Sequence, residues 1–93
     1  MTRTTNARID AILARINRMY GFMEGCKLWN RVGEQNVATV GMFCFDDSYG
    51  QRSLRRMVNE AGGESVIIER CSKPELERAM FAFIAGICIE RDL

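Results

Sequence analysis

The sequence predicts an α/β (α+β) two-layer sandwich, helices packed on one small mixed sheet, in the element order α-β-β-α-β-α. Three patterns lead there. Apolar residues near the start recur at helical spacing, the middle holds short β-branched and aromatic runs broken by glycines, and a capped apolar run closes the chain. The 93 residues suit a single domain, 1–93, with 1–6 expected to be frayed.

The first helix is expected from Ala7 to Met23. Ile9, Ile12, Leu13, Ile16, Met19, Tyr20 and Met23 follow three-, four- and seven-residue spacing, Asn6 is the candidate N-cap, and Gly25 is the stop. Ile9, Ile16 and Met23 also mark two heptads, too few for a coiled coil, so the stripe is expected to pack on the sheet. Lys27–Val32 and Val37–Phe45 read as a hairpin about a turn at residues 33–36. The second run is apolar on both faces towards its end, which predicts a central strand. A second helix is expected from Tyr49 to Ala61, with Ser48 and Gln51 at capping-box spacing, a stripe of Leu54, Met57, Val58 and Ala61, and Gly62-Gly63 at its end. Ser65–Cys71 reads as a third strand, reached by a right-handed parallel crossover. Ser72-Lys73-Pro74-Glu75 is a capping box with proline in the first turn, the clearest helix start in the chain.

From Ala79 to Ile89 the last helix carries no charge, amide or hydroxyl side chain. A membrane span needs about 20 such residues, so burial is the expectation. A domain this small has little surface to offer it. Met80, Phe81, Ile84 and Ile87 are therefore the candidate self-association residues of a homodimer.

Composition narrows the chemistry. The 27% charged residues sum to +1, which does not describe a polycation, yet residues 1–31 carry six bases and two acids, and the remainder seven bases and ten acids. The four cysteines, Cys26, Cys44, Cys71 and Cys88, form no CxxC pair, and three lie in apolar runs. They are expected to stay reduced. The Arg-rich polar start has no continuous apolar stretch, so no signal peptide and a cytoplasmic location are expected.

Histidine is absent, which removes the usual general base, Ser-His and Cys-His pairs, and the commonest metal ligand. No Walker lysine motif and no GxGxxG occurs. Asp46 and Asp47 are the one place for carboxylate-held Mg²⁺, but neighbours on a strand point opposite ways, and a turn-and-cap role competes. No metal and no cofactor are expected.

Two arginine groups could receive an anion. Arg52, Arg55 and Arg56 would sit beside the start of the second helix, with its free N–H groups. Arg8, Arg15 and Arg18 would lie on the outer face of the first, placed to meet phosphates or an acidic protein surface. The bland alternative for both is a solvated face. Trp29 between Lys27 and Arg31 has the make-up of a base-stacking platform, against the commoner fate of a core tryptophan. No family is recognised in these residues. A short chain without a catalytic set and with a sticky last helix has the profile of small accessory proteins of phages and mobile elements, a likeness that no motif carries. The expected function is a non-enzymatic protein–protein interaction module, an inhibitor or adaptor of a larger complex. The alternative is an arginine-mediated binder of nucleic acid or nucleotide phosphate.

Overall fold

The computed structural model describes residues 4–91. The α+β class stands: α1 (Asn6–Met19) and α2 (Lys73–Glu90) enclose five strands, β1 (Trp29–Val32), β2 (Gln35–Ala38), β3 (Phe43–Ser48), β4 (Gln51–Met57) and β5 (Glu64–Cys71). β1 and β2 form one two-stranded sheet, while β3, β4 and β5 form a second with β4 in the middle. Both helices pack on one face of the three-stranded sheet, α1 against β3 and α2 against β4 and β5. They run the same way: Arg8 meets Glu77 near their starts, and the Arg91 guanidinium donates to the Met19 carbonyl at their ends.

The second helix expected at 49–61 is not there. Its residues form β4 and the turn after it, and the expected mixed sheet with a parallel crossover gives way to antiparallel pairing throughout. Tyr49 and Gly50, both at positive φ, close a two-residue hairpin loop between Ser48 and Gln51. Along β4 the inward positions are Arg52, Leu54 and Arg56. The Arg52 guanidinium lies 4.8 Å over the Phe45 ring, and that of Arg56 lies 4.6 Å over Tyr20 and 4.9 Å over Phe43. A guanidinium stacked on aromatic rings fills a core-facing position that polarity would assign to solvent.

Three smaller corrections have local causes. Thr5 rather than Asn6 caps α1, its hydroxyl accepting from the Arg8 N–H. α1 stops at Met19, four residues before the expected Met23. Gly21 (φ +90) takes the left-handed C′ position, with Phe22 N–H on the Asn17 carbonyl and Gly21 N–H on that of Arg18, a Schellman close. The expected strand 37–45 is cut in two by Gly41 (φ +91), and its second half, β3, is an edge strand instead of the central one.

The main core joins Ile9, Ile12 and Ile16 of α1, Phe43 and Leu54 of the sheet, and Leu76, Met80 and Ile84 of α2. This is what absorbs the apolar α2. Met80, Ile84 and Ile87 are buried within the chain, because α1 covers α2 from the side. As self-association residues these three are corrected, and only Phe81 is left exposed. A smaller cluster of Ala38, Cys44 and Met57, with Leu28 against it, ties the β1–β2 hairpin to the body.

The two edges of the three-stranded sheet are guarded differently. The buried Asn17 side chain occupies that of β3, accepting from the Phe43 N–H at 2.8 Å and donating to the Phe43 carbonyl at 3.2 Å. It satisfies the outward backbone groups of Phe43, the first residue of the strand. β5 carries register shifts against β4 and the charged pair Glu69-Arg70. Bulges and charges of this kind discourage edge pairing.

Candidate functional site

The six arginines named from sequence do not converge, and four are taken up inside the chain. Arg52 lies between two carboxylates, Nη1 to Asp10 at 2.8 Å and Nε to Asp47 at 2.7 Å. Partial burial would lower its pKa, and the two hydrogen-bonded carboxylates outweigh that and hold it above its ordinary value. Arg55 lies on the other face of β4, Nη2 3.5 Å from Asp46 and Nη1 3.4 Å from Glu64. Besides its aromatic contacts, Arg56 donates to the Gly41 carbonyl at 2.9 Å. Arg8 meets Glu77 at 3.1 Å, and since the buried Glu77 Oε2 makes no aligned hydrogen bond, that contact rests on charge. Arg15 and Arg18 stay exposed on α1 with no ion pair among the described residues. The helix start that was to support an anion at Arg52, Arg55 and Arg56 is absent, because these residues are on a strand.

Asp46 and Asp47 do point opposite ways, one to Arg55 and the other to Arg52. Their role in this structure is ion pairing. No group of three metal-ligating side chains occurs among the described residues. Cys44 is buried and Cys26 exposed, with Cys71 and Cys88 between them, and all four are free thiols. Burial pushes the Cys44 and Cys71 thiols above their ordinary pKa, which disfavours the reactive thiolate.

What the structure does assemble is an apolar end. Trp29 is neither in the main core nor a flat platform. It is 43% exposed, with one ring edge against Gly62, where an added Cβ would sit 2.5 Å from the indole. Lys27 precedes β1, so only Arg31 shares its face. Val32, at the tip of the hairpin and on the opposite face of β1, and Val40 and Val58, in the segments after β2 and β4, are each at least half exposed. Backbone bonds hold that region together: Ala38 N–H to Glu60, Thr39 N–H to Leu28, and Gly41 N–H to Met57. The exposure of these residues was missed at the level of sequence, where Val40 and Val58 were assigned to a central strand and to an inward helix stripe.

A cleft of about 460 Å³ lies at this end between β2 and the turn after β4, lined by Gln35, Asn36, Val37, Glu60 and Ala61, and two others lie elsewhere. One of about 270 Å³ lies under the end of α1, lined by Leu13, Asn17, Phe22, Met23, Cys26 and Met42 among others. The other, about 310 Å³, lies beside the β3–β4 turn and includes Asp47, Arg52, Cys71 and Lys73. Among the described residues no helix is long and apolar enough to cross a membrane. Comparison of the chain with family models, curated proteins and solved structures finds no match.

Proposed function

We propose that this protein is a non-enzymatic protein-interaction module, an inhibitor or adaptor that docks on a larger complex through its β1–β2 end. The observation that carries this is the set of exposed large apolar side chains at that end, Trp29 and Val32 on the hairpin and Val40 and Val58 in the segments beside it, with the hairpin held to the sheet through Ala38 against Cys44 and Met57. Exposed apolar patches with an aromatic member mark contact surfaces. The free thiols, one of them buried in packing, support a reducing, cytoplasmic setting.

The phosphate-binding alternative loses support from the carboxylates that occupy Arg8, Arg52 and Arg55. It rests on Arg15 and Arg18 alone. Affinity isolation from the source cell with the wild type and a folded Trp29→Ser/Val32→Lys variant tests the reading. A protein recovered by the first and lost with the second is the expected result. Recovery unaffected by the double substitution, or a salt-sensitive shift of DNA or RNA abolished by Arg15→Ala/Arg18→Ala, would replace it.

A further inference from the structure

The three-stranded sheet has both edges guarded, and the two-stranded sheet does not. β1 pairs with β2 in an unbroken register, without bulge or proline, and every residue of β1 is exposed. The bonds around the hairpin show which way its backbone groups point. Thr39 N–H donates across the ladder to the Leu28 carbonyl, whereas Ala38 N–H turns outward to the Glu60 carbonyl. These directions alternate along an antiparallel pair. Trp29, opposite Ala38, and Arg31, two residues on, therefore direct their N–H and C=O groups away from β2. No backbone group among the described residues meets them there. An outward row of this kind is a template for a further strand.

The side chains on that edge are also incompletely partnered. Arg31 forms no ion pair among the described residues, and its Nε reaches only the Gly33 carbonyl of its own turn, at 3.3 Å. This chain places guanidinium groups over Phe45, Tyr20, Phe43 and Tyr49, but none over the half-exposed Trp29 among the described residues. We infer that the edge takes a second copy of this chain, β1 beside β1 and antiparallel about a two-fold axis, so that the two hairpins join in one sheet. Three two-fold registers engage the outward groups. Arg31 opposite Arg31 sets like charges together, and Trp29 opposite Trp29 sets Arg31 opposite Lys27. With Asn30 opposite Asn30, Trp29 of each copy faces Arg31 of the other, and Val32 faces Leu28. That register alone separates the like charges. It gives the indole a guanidinium on one side of the sheet and pairs two apolar side chains on the other, the self-complementarity an isologous contact requires. The cleft that β2 shares with Glu60 and Ala61 lies at the opposite edge of the hairpin and stays open to another protein. So short a strand makes a small interface, with a dissociation constant on the order of 10–100 µM.

Sedimentation velocity of the full chain from about 5 to 500 µM is expected to show a monomer–dimer equilibrium. Arg31→Pro removes an outward N–H that the β1–β2 ladder does not use, along with the guanidinium, and leaves Trp29 and Val32 in place. It is expected to weaken the dimer about tenfold or more while Asn30 and Val37 keep their amide protection. The register has its own probe. In a Cys26→Ser background, Asn30→Cys sets two thiols across a non-hydrogen-bonded antiparallel pair, whose Cα separation of about 4.5 Å admits a disulfide. Oxidation at about 100 µM is expected to join the copies 30-to-30, and to join Glu34→Cys in the same background about tenfold more slowly. If Arg31→Pro costs the hairpin its protection, the cross-link decides alone. A wild type that stays monomeric, a dimer that Arg31→Pro leaves intact, or cross-linking at 34 as fast as at 30 would each overturn the proposal.

Discussion

The helix–sheet body and the β1–β2 end are built to different standards. In the body eight buried residues from α1, β3, β4 and α2 interlock, and the Phe43 ring meets Tyr20 at 5.0 Å and Phe83 at 5.7 Å between centroids. The end contributes one buried residue, Ala38, to a small cluster with Cys44 of β3 and Met57 of β4, and all four positions of β1 are exposed. A two-stranded hairpin is at best marginal by itself, so β1 and β2 persist because Trp29 leans on the 59–63 turn and a few backbone bonds cross to it. Buried packing is concentrated in the body, while the hairpin is held mainly by its contacts to the sheet and the 59–63 turn.

Four substitutions would sharpen or break this contrast. The largest effect belongs to Leu54→Ala, which empties a fully buried position and is expected to cost about 2–4 kcal/mol in denaturant titration. A loss below about 1 kcal/mol would mean the body is not the stable half. Asn17→Ala comes next. It strips the Phe43 N–H and carbonyl of their buried partner and is expected to cost about 1–3 kcal/mol. Because it also bares the β3 edge, light scattering of the variant should rise on storage.

Gly62→Ala acts on the weak half. A methyl group there collides with the indole, and the backbone sits at φ +99. The expected cost is about 1–2 kcal/mol, with faster amide exchange in β1 and β2 and unchanged protection in α1 and α2. Equal loss of protection in both regions would show that the hairpin and body are one cooperative unit. The smallest expected change has the opposite sign. Tyr49 is 94% exposed at φ +53, a conformation that asparagine or glycine accepts more readily. Tyr49→Asn should therefore stabilise by a few tenths of a kcal/mol, read as a raised thermal midpoint. A lowered midpoint would assign the ring a structural role through Arg70, whose guanidinium lies 5.3 Å over it.

Acid offers a milder probe of the body. The Ser72 hydroxyl hydrogen-bonds the Glu75 carboxylate and holds its pKa below the ordinary value. A depressed carboxyl stabilises the fold above its unfolded-state pKa, and the contribution is lost as pH falls through the folded value. The amide resonances of the first turn of α2 should therefore shift below the normal glutamate range, and Ser72→Ala should move that transition upward.

The sequence was most legible where signals are local. The capping box at Ser72 places the start of α2 at the right residue, and the β-branched run 65–71 matches β5 but for Glu64. The stretch 49–61 failed because its decisive facts are tertiary. Leu54, Met57 and Val58 satisfy helical spacing, and arginine, leucine and methionine are good helix formers. The strand alternation Arg52-Leu54-Arg56 becomes visible only once Phe45, Tyr20 and Phe43 are known to lie beneath the two guanidinium groups. Arg52 reads as a free cation in the sequence because one of the two carboxylates that hold it, Asp10, lies 42 residues away. Helix α2 was read as too apolar for its surroundings because nothing local says that α1 lies against its flank. Only the part of that surplus centred on Ala82, Ala85 and Ile89 survives the fold.

The pairing of α1 with α2 joins the first element of the chain to the last, and that sets an order of events during synthesis. Ile9, Ile12 and Ile16 are made first, yet half of what covers them is encoded after residue 72. At a translation rate of about 5–20 residues per second, the stripe waits several seconds for its partner. During that interval the three antiparallel strands can zip by local hairpin closure, but the layer above them is incomplete. Loss of the last helix, by nonsense mutation or proteolysis, would therefore not trim the protein. It would return the nascent chain to its sticky intermediate, a substrate for chaperones and proteases and not a shorter working copy.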